Sequence, residues 1–169
     1  MGAGAAGYGL GFTGERTLAD TRKRILAVAS GGGHWEQMLL LRDAFVGHDI
    51  SFATTMKGLG ERAGIAGVRV IHDCNRNSPM SAVFCVLDLL RVMARVRPQV
   101  IVSTGALPGF LALAIGRRFG VKTIWVDSIA NAEELSMAGQ KAKAHADLWL
   151  SQWPFVAERS GAGYAGSVL

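Results

Sequence analysis

Short apolar runs rich in β-branched residues alternate with longer helical patterns from residue 24 onward, and this alternation limits the possible folds more than any other feature. The strands predicted from it cover residues 25–29, 50–54, 68–71, 100–103, 123–126 and 148–151. Helical patterns fill the gaps, over residues 35–46, 59–63, 80–95, 109–119 and 137–146. Continuously apolar strands are typical of a parallel sheet that is buried on both faces. The sequence therefore predicts an α/β fold with a doubly wound, mostly parallel Rossmann-like sheet.

The length of 169 residues suits a single domain with its own hydrophobic core. Residues 1–22 are rich in glycine and alanine and show little periodicity, so we expect a mobile tail before one domain over residues 23–169. A GxGxxG string at residues 2–7 has no strand before it, as the dinucleotide fingerprint would require. No uncharged apolar stretch reaches the roughly 18 residues of a membrane-spanning helix, so we expect the chain not to cross a bilayer by itself.

The net charge of +5 comes from lysine and arginine residues scattered through the chain. Nucleic-acid binding is not expected, because no dense basic run with interleaved aromatic residues is present. An anionic membrane or a phosphorylated substrate fits this distribution better. Cys74 and Cys85 form neither a CxxC pair nor a disulfide ladder, which indicates a reducing cytoplasm. His48, His72 and His145 lack ligand-like spacing with cysteine or carboxylate residues, so we expect no metal site.

In sheets of this kind, ligands bind outside the carboxyl ends of the strands, beside the point at which the strand order reverses. Three of the predicted strands lead directly into segments with candidate site residues. The first is followed by Ser30, Gly31, Gly32, Gly33 and His34, the fourth by Thr104, Gly105, Pro108 and Gly109, and the fifth by Asp127 and Ser128. We expect these three segments to share one edge of the sheet.

The three consecutive glycines favour a phosphate or diphosphate site. Glycines between a strand and a helix let backbone N–H groups approach an anion, and the helix N-terminus adds partial positive charge. The alternative is a tight turn in which one glycine needs a positive φ. A dinucleotide is not favoured, because Glu36 stands where that motif needs its last glycine and no acidic residue follows the second strand.

Two titratable side chains in these segments are candidate catalytic residues. His34, beside the glycines, is suited to act as a general base toward a hydroxyl group or as a cation toward developing charge; the alternative is a ring packed against the sheet. Asp127, at the end of the fifth strand, is a second candidate base or hydroxyl binder; the alternative is a cap on the following turn. The sequence leaves both alternatives open.

The predicted helix over residues 80–95 is apolar except for one narrow strip. The strip consists of Ser81, Asp88, Arg91 and Arg95. One interpretation is a core helix packed under the sheet with a single wet edge. The other places part of the helix in a membrane interface, with membrane contacts from Phe84, Leu87, Arg91 and Arg95. Both can hold in part, since one side of a helix can pack on the sheet while the other touches lipid.

Five segments together resemble a known family. They are SGGGH at 30–34, STGALPG at 103–109, DSIA at 127–130, LSMAG at 135–139 and SQWP at 151–154. In order and spacing they resemble the acceptor-binding, membrane-recruiting subunit of split GT-B glycosyltransferases. That family includes subunit fourteen of the asparagine-linked glycosylation pathway and bacterial exopolysaccharide relatives. More distantly, residues 24–169 resemble the N-terminal half of the enzyme that adds N-acetylglucosamine to the peptidoglycan precursor.

The resemblance implies a GT-B architecture divided between two chains. This chain would be its N-terminal Rossmann-like half, would bind a polyprenyl-diphosphate-linked glycan, and would lie peripherally on the cytoplasmic face of the cell membrane. A small donor-binding glycosyltransferase subunit would bind the UDP-sugar, and no cofactor would be bound tightly. We therefore expect a hexosyltransferase subunit of exopolysaccharide or lipid-linked oligosaccharide synthesis that is active only with its partner.

Carried over residue by residue, the resemblance places the loops 30–34 and 104–109 at the acceptor diphosphate and sugar, with His34 in the catalytic site. Asp127 stands where eukaryotic members usually carry glutamate. Gln152 and Trp153 are implied to lie near the partner interface, although a core position suits Trp153 equally well. Eukaryotic members begin with a membrane-spanning helix that residues 1–22 lack. We expect the partner to supply the second wall of the cleft, because a complete GT-B enzyme would continue beyond residue 169.

Two other functions are alternatives at this stage. One is a non-catalytic membrane anchor that presents the acceptor while the partner supplies every chemical group. The other is a nicotinamide-dependent Rossmann enzyme, which the missing last glycine and the missing ribose carboxylate disfavour.

Overall fold

The computed structural model describes residues 22–75 and 77–168, and these residues form one parallel sheet with helices on both faces. Its strands are β1 (Arg24–Ala29), β2 (Asp49–Thr54), β3 (Arg69–Val70), β4 (Val100–Ser103), β5 (Lys122–Val126), β6 (Leu148–Ser151) and β7 (Gly163–Tyr164). The predicted tail lies outside the described residues apart from Arg22. The guanidinium of Arg22 forms an ion pair with Asp49, so this residue contacts the domain.

The helices in the described residues alternate with the strands. They are α1 (Gly33–Leu40), α2 (Leu59–Arg62), α3 (Pro79–Val96), α4 (Ala106–Arg118), α5 (Met137–Ala142) and α6 (Pro154–Ser160), and a 3-10 segment, Leu41–Phe45, continues α1. Both ends of the long helix α3 are well defined. Proline stands at its first position, where no backbone N–H is needed, and the chain leaves it through Arg97 in the left-handed region with φ 49°.

β1 lies in the middle of the sheet, paired with β2 on one side and β4 on the other. The strand order is β3-β2-β1-β4-β5-β6-β7. The chain therefore builds one half of the sheet outward from β1, crosses back through α3, and builds the other half from β4. The order reverses between β1 and β4, so the loops that follow these two strands lie where Rossmann-like sheets bind ligands.

The two faces of the sheet have separate cores, because successive side chains of a strand point to opposite faces. Leu26 and Val28 of β1 belong to the core beneath α3, α4 and α5. Ile25 and Ala27 belong to the core beneath α1 and α2, where the buried Trp35 contributes the largest side chain. This burial on both faces agrees with the continuously apolar strands.

The predicted strands and helices are present, and the differences concern short elements and boundaries. β7 was missed because its two residues are too few for a recognisable pattern, and β3 covers only two of the four predicted residues. α1 begins at Gly33 rather than residue 35. α4 begins at Ala106 rather than residue 109, because Pro108 fits within a first helical turn. α5 ends at Ala142 rather than residue 146, because the chain turns there to enter β6.

The carboxylate of Asp147 joins the amino ends of β5 and β6. It accepts a hydrogen bond from the Thr123 backbone N–H at 2.9 Å and another from Arg117 at 2.8 Å. Burial raises the pKa of Asp147, but hydrogen bonds from the backbone and side chain of Thr123 and from Lys122 outweigh that effect. The pKa of the folded state is therefore lower than usual.

Replacing Asp147 with asparagine is expected to destabilise the fold at neutral pH and to matter less in acid. Because its folded-state pKa lies below the unfolded value of about 3.9, ionised Asp147 stabilises the fold above that pH, and the contribution disappears as the pH falls through the folded-state pKa. Urea unfolding at pH 7 and at about pH 3 should show a wild-type advantage that shrinks in acid. The exposed Asp43 provides the control, D43N. An equal difference between wild type and D147N at both pH values would contradict this account.

α4 packs closely on β4 because Gly109 has no side chain. A Cβ atom added there would overlap the hydroxyl oxygen of Ser103. Gly33 differs, because a Cβ atom added to it would meet nothing within 4 Å.

Gly109→Ala is therefore expected to reduce the free energy of unfolding by about 1–3 kcal/mol, the usual range for overpacking a buried contact. Gly33→Ala is the matched control and should change stability by less than about 0.5 kcal/mol, as surface substitutions usually do. Chemical denaturation of both variants measures the difference. Equal stabilities for the two variants would show that the contact between α4 and β4 is looser than described.

Candidate functional site

The loops after β1 and β4 meet at the reversal point through two hydrogen bonds between His34 and Thr104. The Nδ1 atom of His34 lies 3.0 Å from the carbonyl oxygen of Thr104. In the other direction, the Thr104 hydroxyl donates to the carbonyl oxygen of His34 at 2.7 Å. The pair fixes the start of α1 relative to the end of β4.

This geometry determines which nitrogen of the neutral His34 ring bears the proton. A carbonyl oxygen only accepts hydrogen bonds, so Nδ1 must donate to Thr104, and Nε2 keeps its lone pair. Among residues 22–75 and 77–168, Nε2 has no hydrogen-bond partner, and the ring is partly exposed. His34 therefore presents a proton acceptor at the carboxyl edge of the sheet, as a general base requires.

The backbone of Gly105 lies directly against the His34 ring. Its φ of 143° is in the region that favours glycine, and a Cβ atom added to it would overlap Cε1 of His34. The next residue, Ala106, has a φ of 62°, which is uncommon for a residue with a side chain and stores backbone strain. Such strain is found disproportionately at ligand sites.

The glycine loop after β1 is open where the sequence predicted a phosphate. Gly31 is fixed by a hydrogen bond from its N–H to the Thr55 hydroxyl at 3.2 Å, and Ser30 precedes it, partly exposed. Gly32 needs its glycine for a φ of 69°. Gly33 has an ordinary φ and no neighbour within 4 Å of its missing side chain, so neither conformation nor packing requires a glycine there. Open space above the α1 N-terminus is what a bound anion requires.

Pro108 and Gly109 lie inside the protein rather than on the site surface. Both are buried in the first turns of α4, and Gly109 packs on Ser103 as described above. Thr104 is also buried, and its hydroxyl is used by His34. The roles predicted for Pro108 and Gly109 in diphosphate binding stay predictions, while the structure gives both residues a packing role.

The side chain of Asp127 holds the segment that follows β5 in place through hydrogen bonds. Its side chain is 1% exposed and accepts hydrogen bonds from four donors. The donors are Trp125 Nε1 at 3.0 Å, Asn131 Nδ2 at 3.1 Å, Ser136 N at 2.9 Å and Ser136 Oγ at 2.7 Å. A base must reach the proton that it removes, and this carboxylate faces only protein. The catalytic role predicted for Asp127 stays a prediction, and the geometry matches the capping alternative.

A buried polar network connects α1 with the ends of β5 and β6. Gln37 donates to the Ser128 hydroxyl at 2.9 Å, and its carbonyl oxygen accepts from Gln152 at 2.9 Å. Sequence reasoning missed Gln37, although a polar residue on the buried side of an apolar helix is a recognisable signal. Gln152 is 3% exposed, and its predicted place at a partner interface stays a prediction. Trp153 is partly exposed, and its indole N–H donates to the Ile129 carbonyl at 2.7 Å.

α3 is half core and half surface. Cys85, Leu89, Val92 and Met93 are buried against the sheet. On the other side, Phe84 is 46% exposed and Leu87 is 41% exposed, and Arg91 and Arg95 are exposed as well. The buried side matches the interpretation as a core helix, and membrane contact by the exposed side stays a prediction. Arg91 shares the Asp88 carboxylate with His72, whereas Arg95 has no ion-pair partner among the described residues.

A cavity of about 550 Å³ lies next to the loop after β4, between the segment before α3 and the helices α4 and α5. Ala106 and Cys74 are among its lining residues. Burial raises the pKa of the Cys74 and Cys85 thiols, so neither is a reactive nucleophile at neutral pH. The sequence did not predict this cavity, because its walls come from three separate segments.

Within the described ranges, no group of three or more histidine, cysteine or acidic side chains is arranged to hold a metal ion. No helix among the described residues has both the length and the apolar character needed to span a membrane.

No family model matches the sequence, and no curated protein matches it. Solved structures match its fold. MurG of Acinetobacter baumannii is 11% identical with a TM-score of 0.62, over 85% of this chain and 44% of that chain. A glycosyltransferase from Rickettsia africae is 10% identical with a TM-score of 0.60, over 84% of this chain and 41% of that chain. A UDP-N-acetylglucosamine 2-epimerase is 10% identical with a TM-score of 0.65, over 81% of this chain and 42% of that chain.

These likenesses establish the class of fold. The chain has the α/β Rossmann-like fold of one half of a GT-B architecture, as the sequence predicted, and it spans less than half the length of the three proteins. Transferases and an epimerase share this fold, so the choice of reaction depends on the site itself.

Gly105→Ala is expected to displace the His34 ring and to abolish its preference for the Nδ1-protonated tautomer. The added methyl group overlaps the ring, and the φ of 143° is unfavourable for alanine. Long-range ¹H–¹⁵N spectra of the imidazole report the tautomer directly. Gly120→Ala is the control, because Gly120 also has a positive φ, 71°, but no neighbour within 4 Å. A neutral wild-type ring that bears its proton on Nε2 rather than on Nδ1 would contradict the arrangement described here.

Proposed function

We propose that this chain is a subunit of a two-chain glycosyltransferase that transfers a hexose from a UDP-sugar to a polyprenyl-diphosphate-linked acceptor. The reaction would belong to exopolysaccharide or lipid-linked oligosaccharide synthesis. In this proposal the chain binds the acceptor and the cytoplasmic face of the membrane, and a small second subunit binds the donor. The observation that favours it most is the position of His34 beside an open glycine loop, with an Nε2 atom that has no hydrogen-bond partner among residues 22–75 and 77–168.

His34 is proposed to act as the general base. Its Nε2 takes the proton from the acceptor hydroxyl while the hydroxyl oxygen forms a bond to the anomeric carbon of the donor sugar. The bond from that carbon to UDP breaks, and UDP leaves with the electron pair. The hydrogen bond from Nδ1 to Thr104 O holds the ring and stabilises the imidazolium that forms.

The glycine loop is proposed to bind the acceptor diphosphate. The N–H groups at the start of α1 and the partial positive charge of that helix end favour an anion, and the empty space over Gly33 admits one. A diphosphate at this position lies beside His34, the first residue after the glycines. The two halves of the acceptor, anion and reacting sugar, then contact adjacent residues.

Membrane attachment is proposed to use the exposed side of α3. Phe84 and Leu87 supply apolar surface, and Arg95 with the net charge of +5 supplies attraction to anionic lipids. The partner subunit is proposed to lie near the partly exposed Trp153. Gln152 contributes indirectly, because it holds the segment from which Trp153 projects.

The experiment that tests the proposal is co-expression of this chain with each small protein encoded beside its gene, followed by assay of membrane fractions for transfer from labelled UDP-sugars. Transfer is expected only when both chains are present. Transfer by this chain alone, or no stable association with any neighbour, would contradict the two-chain proposal.

His34 variants of the assembled pair then distinguish a catalytic subunit from a scaffold. Since Asn can donate to Thr104 O but has no group equivalent to Nε2, H34N should fold normally and lower kcat about 100- to 10,000-fold, the usual contribution of a general base. His48→Asn is the control, because His48 lies at the opposite edge of the sheet, before β2. Near-wild-type turnover by H34N would favour the non-catalytic anchor.

A further inference from the structure

The cavity beside the loop after β4 has the size and lining of a site for an amphiphilic ligand. Its volume of about 550 Å³ is within the roughly 300–1,000 Å³ that ligand pockets occupy. Leu107, Phe110 and Ala138 give it apolar walls. Lys141 is the one charged residue among the described lining residues, and it is exposed. An apolar recess with a lysine in its lining complements a ligand that has an apolar chain and an anionic head.

The cavity is next to the proposed catalytic residue. Ala106 lines it, and the preceding residue, Gly105, lies directly under the His34 ring. Ala106, with its strained φ of 62°, therefore lies between the cavity and the proposed catalytic residue His34. A ligand bound in the cavity therefore brings its anionic head close to His34 when the head points toward the loop after β4.

The cavity also borders the segment that leads into α3. Asn75 and Asn77 line the cavity, and α3 begins two residues later at Pro79. Its first exposed apolar side chains are Met80, at 66%, and Val83, at 53%. A lipid chain that left the cavity on this side would run toward the surface that we propose to contact the membrane.

Lys141 has no ion-pair partner among the described residues, unlike Arg91, Arg117 and Lys122. Its ammonium group is therefore available to an external anion. Lys143, two residues further on, is engaged differently, because its Nζ lies 5.0 Å from the centre of the Trp149 ring. The two lysines form a matched pair, one at the cavity and one outside it.

We propose that this cavity holds the part of the acceptor lipid chain next to the diphosphate, and that Lys141 contacts the phosphate to which the lipid is attached. The inference rests on the proposed function and adds the determinant by which the subunit selects a lipid-linked acceptor over a free sugar diphosphate. The apolar chain is bound between α4 and α5, the diphosphate reaches the glycine loop, and the reacting sugar lies at His34.

Binding to the isolated full chain tests the cavity without the partner. Calorimetric titration with farnesyl diphosphate, inorganic diphosphate and farnesol distinguishes the contribution of the diphosphate head to binding from that of the apolar chain. Farnesyl diphosphate should bind at least about tenfold more tightly than either fragment, because both halves of the site are then occupied. K141A should weaken its binding about tenfold or more, whereas K143A should leave it unchanged.

A second pair of variants tests which cavity takes the chain. A138L fills the proposed site, and A94L fills a separate apolar cavity of about 380 Å³ at the opposite edge of the sheet. Loss of farnesyl diphosphate binding in A138L but not in A94L supports the inference. Equal binding of farnesyl diphosphate and inorganic diphosphate, or loss in A94L alone, would overturn it. K141A keeps the test valid if A138L fails to fold.

The assembled pair separates failure of this inference from failure of the proposed function. An active pair in which H34N is inactive, but A138L and K141A keep the wild-type KM for the lipid-linked acceptor, would refute the lipid-chain site and leave the glycosyltransferase proposal standing. Farnesyl diphosphate binding at the cavity by a chain whose pairs show no transfer would refute the transferase proposal instead. The expected result is a KM raised about tenfold or more in both cavity variants, with kcat little changed.

Discussion

The two hydrogen bonds between His34 and Thr104 are the interaction on which the site depends. They connect the start of α1 to the end of β4, at the point where the strand order reverses. One of them also sets the tautomer of His34, because a carbonyl oxygen accepts the Nδ1 proton. The ring can occupy this position only because Gly105 has no side chain. A single close contact between two loops therefore fixes the distance between them and points a proton acceptor outward.

Polar groups on the neighbouring loops are used to hold that edge of the sheet in place. The carboxylate of Asp127 accepts hydrogen bonds from four donors, and Gln37 connects Ser128 to Gln152 in a buried network. Buried polar groups are expensive unless each has a partner, and these have partners drawn from α1, β5 and β6. The polar groups at this edge of the sheet therefore have two different uses. The segment after β5 uses its polar side chains for internal hydrogen bonds, whereas the glycine loop and His34 present groups that a ligand can contact.

The sequence predicted the fold better than the roles of individual side chains. Continuous apolar strands identify a parallel sheet, and His34 follows a glycine loop in a recognisable pattern. The same reasoning treated Gly33 and Gly109 alike, but only the structure shows that Ser103 lies against Gly109 and that nothing lies against Gly33. Asp127 illustrates the same limit, since three of its donors come from Asn131 and Ser136, in a loop whose path no local pattern specifies. Strand patterns are local, whereas a site is made of contacts between distant segments.

Because transferases and an epimerase share this fold, the features outside the sheet bear most on the reaction. An enzyme that acts only on a soluble nucleotide sugar has no need of an exposed apolar helix side next to its site. Here Met80, Val83 and Phe84 are exposed on α3, and the cavity between α4 and α5 begins just before that helix. A lipid-linked acceptor would use both features, with its chain crossing from the membrane to the cavity and its sugar reaching His34. The position of the cavity, beside the loop that carries Gly105 and next to the segment before α3, is the physical reason why we propose transfer to a lipid-linked sugar rather than chemistry on the nucleotide sugar alone.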